Sequence, residues 1–195
     1  MLTGFPESDA AAAFAREHRR ASLAYVASRL TTKRKDALAL LPFADVVAAL
    51  GRVTERDLGL QTIAIDSIIG TVDRRSGEFD RVFRPRARRL QSRWQRIAAA
   101  RRRGETMPPI DAYRIGELHF VQDGHHRVSV ARAHGDATIE AHVRNVKTSV
   151  LATAELMQGD LWRDRAALLD PSRASSTPPL RNSGASSPAG PHVRP

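Results

Sequence analysis

The sequence predicts an α+β domain, a helical segment followed by short strands and packed helices gathered on a small sheet. Three observations predict it. Helix-forming residues fill most of the first fifty positions, a period-two alternation begins at Gln61–Asp66, and alternation returns at 110–122 and 137–146 on either side of a short helical run. At 195 residues the chain has room for one ordinary domain with appendages and can bury a core.

A first amphipathic helix is expected over Ser8–Leu30, with Ser8 and Asp9 placed to cap it and Leu23, Val26, Ala27 and Leu30 on one face. After the polar break Thr31–Asp36, a second helical run ends at Leu50. Pro42 starts its last turns and Gly51 stops it. A helix-turn-helix over Phe43–Leu60 fits the same pattern, but so does a generic helical hairpin. Gln61–Asp66 reads as a strand, Ile68 and Ile69 as a short turn or helix, and Gly70–Phe83 as a polar loop suited to covering a ligand.

The clearest helix follows, with Pro85 in its first turn, Gly104 at its C-terminal cap and Pro108-Pro109 forbidding continuation. Leu90, Trp94, Ile97 and Ala98 form its core stripe, and Arg86, Arg89, Arg93 and Arg96 line the neighbouring face. Like charges at this spacing cost roughly a few tenths of a kcal/mol per pair, a cost that a function can justify. Ile110–Ile115 and Leu118–Gln122 form a hairpin around Gly116-Glu117. A short helix over His125–Ala133 ends at His134-Gly135, and Ala137–Val146 closes the sheet with Ile139, Ala141 and Val143 inward. Leu151–Leu169 reads as a last amphipathic helix. From Pro171 onward 14 of 25 residues are Pro, Ser or Gly, the composition of a disordered tail. The boundaries are therefore 1–59 for the helical segment, 60–150 for the sheet domain, 151–170 for the C-terminal helix and 171–195 for the tail.

Composition narrows the function. The absence of cysteine removes disulfides, thiolate nucleophiles, cysteine-ligated zinc and iron–sulfur clusters. No stretch approaches the roughly 18 apolar residues of a membrane span, and Glu7 and Asp9 stand where a signal peptide would be basic, so a soluble, cytoplasmic protein without membrane partners is expected. The net charge is +10, and 12 arginines against Glu78 and Asp80 between Arg74 and Arg103 supply all of it. A confined basic block is the footprint of a polyanion partner, nucleic acid first, and nucleoid association is compatible with it. Walker-type, GxGxxG, HExxH and GxSxG motifs are absent. His119, His134 and His142 sit at element ends and carry no role, and Trp94 and Trp162 lie at core spacings.

The run Asp123-Gly124-His125-His126-Arg127, between a strand and a helix, holds the most chemistry. A glycine turn at a helix start presents unpaired N–H groups and the positive end of the helix dipole to an anion. Arg127 adds a permanently charged fork, and His125 and His126 can donate further bonds or, if neutral, ligate a metal. Asp123 is placed to cap the helix or to hold a divalent cation beside bound phosphates.

TIAIDSIIG, MPPIDAYRIGELHFV, DGHHRVSVARAHG and TIEAHV stand in this order over about Leu60–Val146. Together they resemble the ParB/sulfiredoxin superfamily, specifically the nuclease-type ParB-like N-terminal domains with a DGHHR or DGQHR turn. The resemblance implies a small mixed sheet and a turn that binds nucleotide phosphates, of CTP or of ATP with magnesium, through Gly124, His125, His126 and Arg127, with Ala131 packing the helix behind them. Sulfiredoxins carry a cysteine where this chain has His125, so their repair chemistry is not implied. Partition proteins usually show GERR where this chain has GHHR, and add a helix-turn-helix and a dimerisation domain. The reading is thus a DNA-associated binding module related to chromosome-partitioning proteins. It would take a nucleotide at the turn and DNA on Arg86, Arg89, Arg93 and Arg96, with a homodimer through the N-terminal helices as a further possibility. The alternative is an enzyme on the same scaffold, a metal-dependent nuclease using Asp123, His125 and His126 or an ATP-dependent phosphotransferase. No catalytic residue is fixed, Asp123 and His126 being the candidates, and no resident metal is assigned.

Overall fold

The structure, a computed structural model, describes residues 4–31, 39–73 and 77–149. The helix expected over Leu151–Leu169, Trp162 and the tail from Pro171 lie outside the described residues. Helix α1 (Pro6–Thr31) leads to a two-residue strand β1 (Leu41–Pro42), helix α2 (Phe43–Leu50) and a long strand β2 (Arg52–Ala64). Strand β3 (Ile68–Thr71) and a long loop precede α3 (Gln91–Arg102), the hairpin β4 (Ile110–Ile115) and β5 (Leu118–Asp123), helix α4 (His125–His134) and β6 (Thr138–Thr148). The six strands form one sheet in the order β1-β3-β5-β4-β6-β2. It is mixed, with β1/β3, β3/β5 and β4/β6 parallel and β4/β5 and β2/β6 antiparallel. The architecture is the predicted α+β one.

Both faces of the sheet are covered. Ile110 and Ala112 of β4, Val121 of β5 and Ala141 and Val143 of β6 join Phe14, Trp94 and Val128 in one core, beneath α1, α3 and α4. Ile115, Leu118 and Phe120 pack with Phe43, Val46 and Leu50 of α2 in a second core on the other face. Double coverage explains why Leu118–Val121 is buried at every position instead of alternating. The segment 1–59 thus supplies α1 to one core and α2 to the other, and adds β1 to the sheet.

Several elements differ from expectation, each for a physical reason. The buried face of α1 is Ala10, Ala13, Phe14, Glu17 and Ala21, while Leu23 and Val26 are 64% and 55% exposed. Alanines let α1 approach α3 closely, Phe14 meets Trp94 edge-on at 5.7 Å, and Asp9 pairs with Arg102 at 3.1 Å. Asp9 therefore serves an interhelical ion pair. β2 begins at Arg52, well before the expected Gln61. Its early residues are exposed, so no burial pattern marks them in the sequence; pairing with β6 alone holds them. Since β2 follows α2 directly, no second helix completes a helix-turn-helix there. Ile68–Thr71 is a strand because Gly70 lets it pass close to its neighbours: a Cβ there would stand 2.5 Å from Phe120 Cδ1 and collide with the Leu41 carbonyl.

The polar loop after β3 contains an apolar clamp. Asp80 is buried, and its carboxylate accepts from Val82 N at 3.0 Å, Arg84 N at 2.9 Å and Arg84 Nε at 2.8 Å. The tight turn this makes tucks Phe79 and Phe83 into the core, with Phe83 at φ 60, a left-handed conformation rare for a bulky residue. Pro85 bridges back to Phe79, so it belongs to this turn, and α3 starts later, after a 3-10 turn at Arg88–Leu90. At the other end Gly104 (φ 78) closes α3 as expected, with Glu105 N donating to Ala100 O at 3.1 Å.

Gly70→Ala should cost more than about 2 kcal/mol, because the carbonyl it meets is backbone and cannot move aside. Gly77→Ala, with open space around its Cα, should be neutral. Chemical denaturation of the two variants beside the parent chain measures both.

Candidate functional site

Strand β5 ends at Asp123 and α4 begins two residues later; the reversal between them falls on Gly124 at φ 101. Glycine is required twice over, by this φ and because a Cβ would stand 2.5 Å from Ile110 Cγ2 on β4. The turn thus sits hard against the sheet. No side chain caps α4, so Asp123 does not fill the capping role, and the first N–H groups of the helix have no intrahelical acceptor.

Arg127 is the hub of the turn. Its Nη1 donates to the Pro108 carbonyl at 2.8 Å and to the Pro109 carbonyl, and its Nη2 reaches Asp123 Oδ2 at 2.5 Å. The side chain is only 14% exposed. The expected phosphate fork is here a brace tying the start of α4 to the approach of β4. Asp123 is the carboxylate that matches it, exposed and in ion-pair contact.

The two histidines turn inward. His125 Nε2 lies 2.6 Å from Thr71 Oγ1 at the end of β3, and its ring stacks on Phe79 and tilts against Phe83, each 6.2 Å away. The His126 ring meets Phe79 edge-on at 5.4 Å, and its Nε2 is buried with no hydrogen-bond partner. Burial pushes both rings toward the neutral form, and the positive charge of Arg93 adds to it. Asp73, Asp123 and Glu78 oppose the shift at His125, and Glu78 and Asp123 oppose it at His126. His126 is lowered to about 4. The rings are therefore neutral fastenings of the Phe79–Phe83 loop, and any anion at the helix start would meet their backbone N–H groups.

The arginine row divides. Arg86 and Arg89 precede α3: Arg86 lies 4.8 Å over the Tyr25 ring, and Arg89 pairs with Glu78 at 2.6 Å. Arg93 and Arg96 are exposed on α3, and no ion pair to a carboxylate is found for either among the described residues. Arg101, Arg102 and Arg103 pair with Asp136, Asp9 and Glu105. Ion pairs thus match part of the local charge excess, and of the four arginines expected to meet DNA, Arg93 and Arg96 are exposed without one among the described residues. Arg93 is also the arginine whose charge reaches both histidines, so it links α3 to the turn.

Other sequence expectations are met in detail. Trp94 is buried and donates from Nε1 to Ser129 Oγ at 2.8 Å, and Ala131 lies on the buried side of α4. His119 is buried and bonded to Ser67 Oγ at 2.8 Å, with burial and then Arg114 lowering it to about 4. Sequence reading missed Thr71, Phe79, Phe83 and the Pro108 and Pro109 carbonyls as parts of the site. Only the two aromatics in an otherwise polar loop gave a signal. Among the described residues no group of three or more His, Asp or Glu could hold a metal ion, and Asp123, His125 and His126 face Arg127, Thr71 and Phe79 respectively. No helix among them is long and apolar enough to cross a membrane.

No family model matches the sequence, and no curated protein matches it significantly. Among solved structures, sulfiredoxin from Arabidopsis thaliana is similar, with a TM-score of 0.34 and 17% identity over 45% of this chain and 86% of that one. A likeness this slight carries no functional argument.

The neutral histidines give stability a pH dependence of definite sign. Folded-state values below the ordinary 6.5 mean that the unfolded chain binds more protons between about 6.5 and 4. Stability should therefore fall as pH is lowered from 7 toward 4. Urea midpoints read this, and His126→Phe should flatten the dependence, whereas a parent midpoint constant from pH 7 to 5 contradicts the assignment.

Proposed function

We propose that this chain is a ParB-like, DNA-associated binding module that takes the phosphates of a nucleotide at the start of α4 and DNA on the exposed arginines of α3. One observation carries the reading: α4 begins uncapped, on a left-handed glycine, within reach of the charge of Arg93. Free N–H groups, the positive end of the helix dipole and a guanidinium then act on the same anion. The amides of His125 and His126 are the contacts, with Arg127 holding the turn in shape. The resemblance of the DGHHR turn to its ParB-like counterparts points to a nucleoside triphosphate, CTP or ATP with magnesium, as the anion's source.

DNA enters through the same geometry. Arg93 and Arg96 lie at i, i+3 on one helix with no carboxylate partner among the described residues, so each can neutralise a phosphate and release condensed counterions. Arg93 would then touch both ligands, which couples nucleotide occupancy to DNA affinity. Arg86 and Arg89 contribute less, being engaged with Tyr25 and Glu78.

Calorimetric titration with CTP, ATP and GTP in magnesium should give saturable binding of one nucleotide, weakened roughly tenfold in Arg93→Gln. Heats absent for all three would sink the nucleotide half of the reading. For DNA, the double variant Arg93→Glu, Arg96→Glu should bind every sequence more weakly and lower the slope of log affinity against log salt by roughly 2. An unchanged slope in that variant would sink the DNA half.

A further inference from the structure

Further along α4, past the Asp123–Arg127 turn, lies a cavity of about 220 Å³ between three elements. Its walls are Glu17 and Arg20 of α1, Val82 and Arg84 of the Asp80 turn, and Ser129, Arg132 and Ala133 of α4. The elements are stitched together around it: His18 Nδ1 lies 3.1 Å from the Pro85 carbonyl, Arg86 covers Tyr25, and Ser129 Oγ holds the Trp94 indole. Such a cavity keeps its shape without a ligand.

Three guanidiniums converge here from three separate elements, and their counter-charges are unequal. Arg20 faces Glu17 at 3.1 Å, a carboxylate that is itself buried and also lies 3.5 Å from Arg16. Arg84 is matched by Asp80 at 2.8 Å. Arg132 has only a longer ion pair among the described residues. Its side chain is only 19% exposed, its Nη2 is held by the Ile65 and Ile68 carbonyls at 2.7 and 3.0 Å, and its Nε is buried without an acceptor. The carboxylate it faces, Asp66, is 3.4 Å away and almost fully exposed, and Phe83 lies under the guanidinium at 5.9 Å. Arg132 is thus largely buried with a single long, solvent-exposed counter-ion and an unused N–H, and an anion in the adjoining cavity would add a nearer, better-shielded partner.

We propose that this cavity binds a small organic anion, one phosphate or carboxylate group directed at Arg20, Arg84 and Arg132, with a hydroxyl or ammonium donor for Glu17. Guanidinium forks suit either acid, which both accept paired bonds. The volume is below that of common drug-sized pockets, so the part of the ligand held between the walls is a small acid group with a few further atoms. Val82 and Ala133 supply the apolar part of the wall for its carbon skeleton. The site is separate from the uncapped start of α4 and does not depend on it.

Trp94 provides the readout, because its indole N–H donates to Ser129 on the cavity wall. The full chain, with Trp162→Phe to leave one indole signal, is titrated with glycerol 3-phosphate, inorganic phosphate and lactate while the indole N–H resonance is followed. The expected result is a saturable shift with at least one of these probes, weakened roughly tenfold or more in Arg20→Gln and retained in Arg93→Gln. Arg20 is largely exposed, so that variant keeps the fold even if Arg132→Gln does not. No shift with any probe overturns the proposal, as does a shift that survives Arg20→Gln or vanishes in Arg93→Gln. Since Arg93 belongs to the nucleotide and DNA readings and does not line this cavity, the last outcome would place the anion at the helix start instead.

Discussion

The guanidinium of Arg127, holding the Pro108 and Pro109 carbonyls and the Asp123 carboxylate at once, decides where α4 leaves the sheet. The acceptors are exposed or half-buried, so what three bonds on one planar group chiefly supply is a fixed direction. Proline carbonyls are apt acceptors, because a residue that cannot continue a helix or donate to a ladder leaves the approach to β4 in need of another tether. Gly124 completes the junction by seating the turn on Ile110. Whatever the helix start binds, it binds on a platform set by these contacts.

From that junction the constraints run outward along both faces of the sheet. α4 carries Ser129 to Trp94, Trp94 carries α3 to Phe14, and Phe14 carries α1. In the other direction His125 and His126 reach across to Phe79, and Asp80 folds the loop that bears it. The histidines have one ring face on aromatic carbon and a backbone at the mouth of a helix dipole. That division, rings packed on aromatic carbon and backbone N–H groups at the helix start, accounts for their neutral state. It also explains why a loop expected to cover a ligand is anchored instead of free.

Much of this was legible in the residues. The Gly116-Glu117 hairpin, the Gly124 and Gly135 limits of α4, the Gly104 stop of α3 and the inward set Ala141 and Val143 follow from local chemistry, where one turn or one period decides the outcome. What escaped depends on partners distant in sequence. The early half of β2 is exposed and highly charged, so only its pairing with β6 makes it a strand. The choice of Ala10, Ala13 and Phe14 over Leu23 and Val26 reflects how close two helices can come, a property of the pair. At the site, composition identified the turn but not the destinations of its side chains. A histidine beside a glycine reads as a donor until an aromatic from a loop some fifty residues earlier is found against its ring.

The two borders of the sheet were described as a two-residue strand and a long charged one, and both shapes bear on self-association. An open strand border offers unpaired backbone groups to any second chain, the route by which sheets recruit one another into aggregates. Here β1 is too short to serve as a template and ends on Pro42, which has no N–H to offer. At the far border β2 carries Arg52, Glu55, Arg56 and Asp57, and its ladder slips twice, between Arg52 and Thr54 and between Asp57 and Gly59. An incoming flat strand would have to desolvate those charges and match both irregularities, so a sheet open at two ends still resists addition.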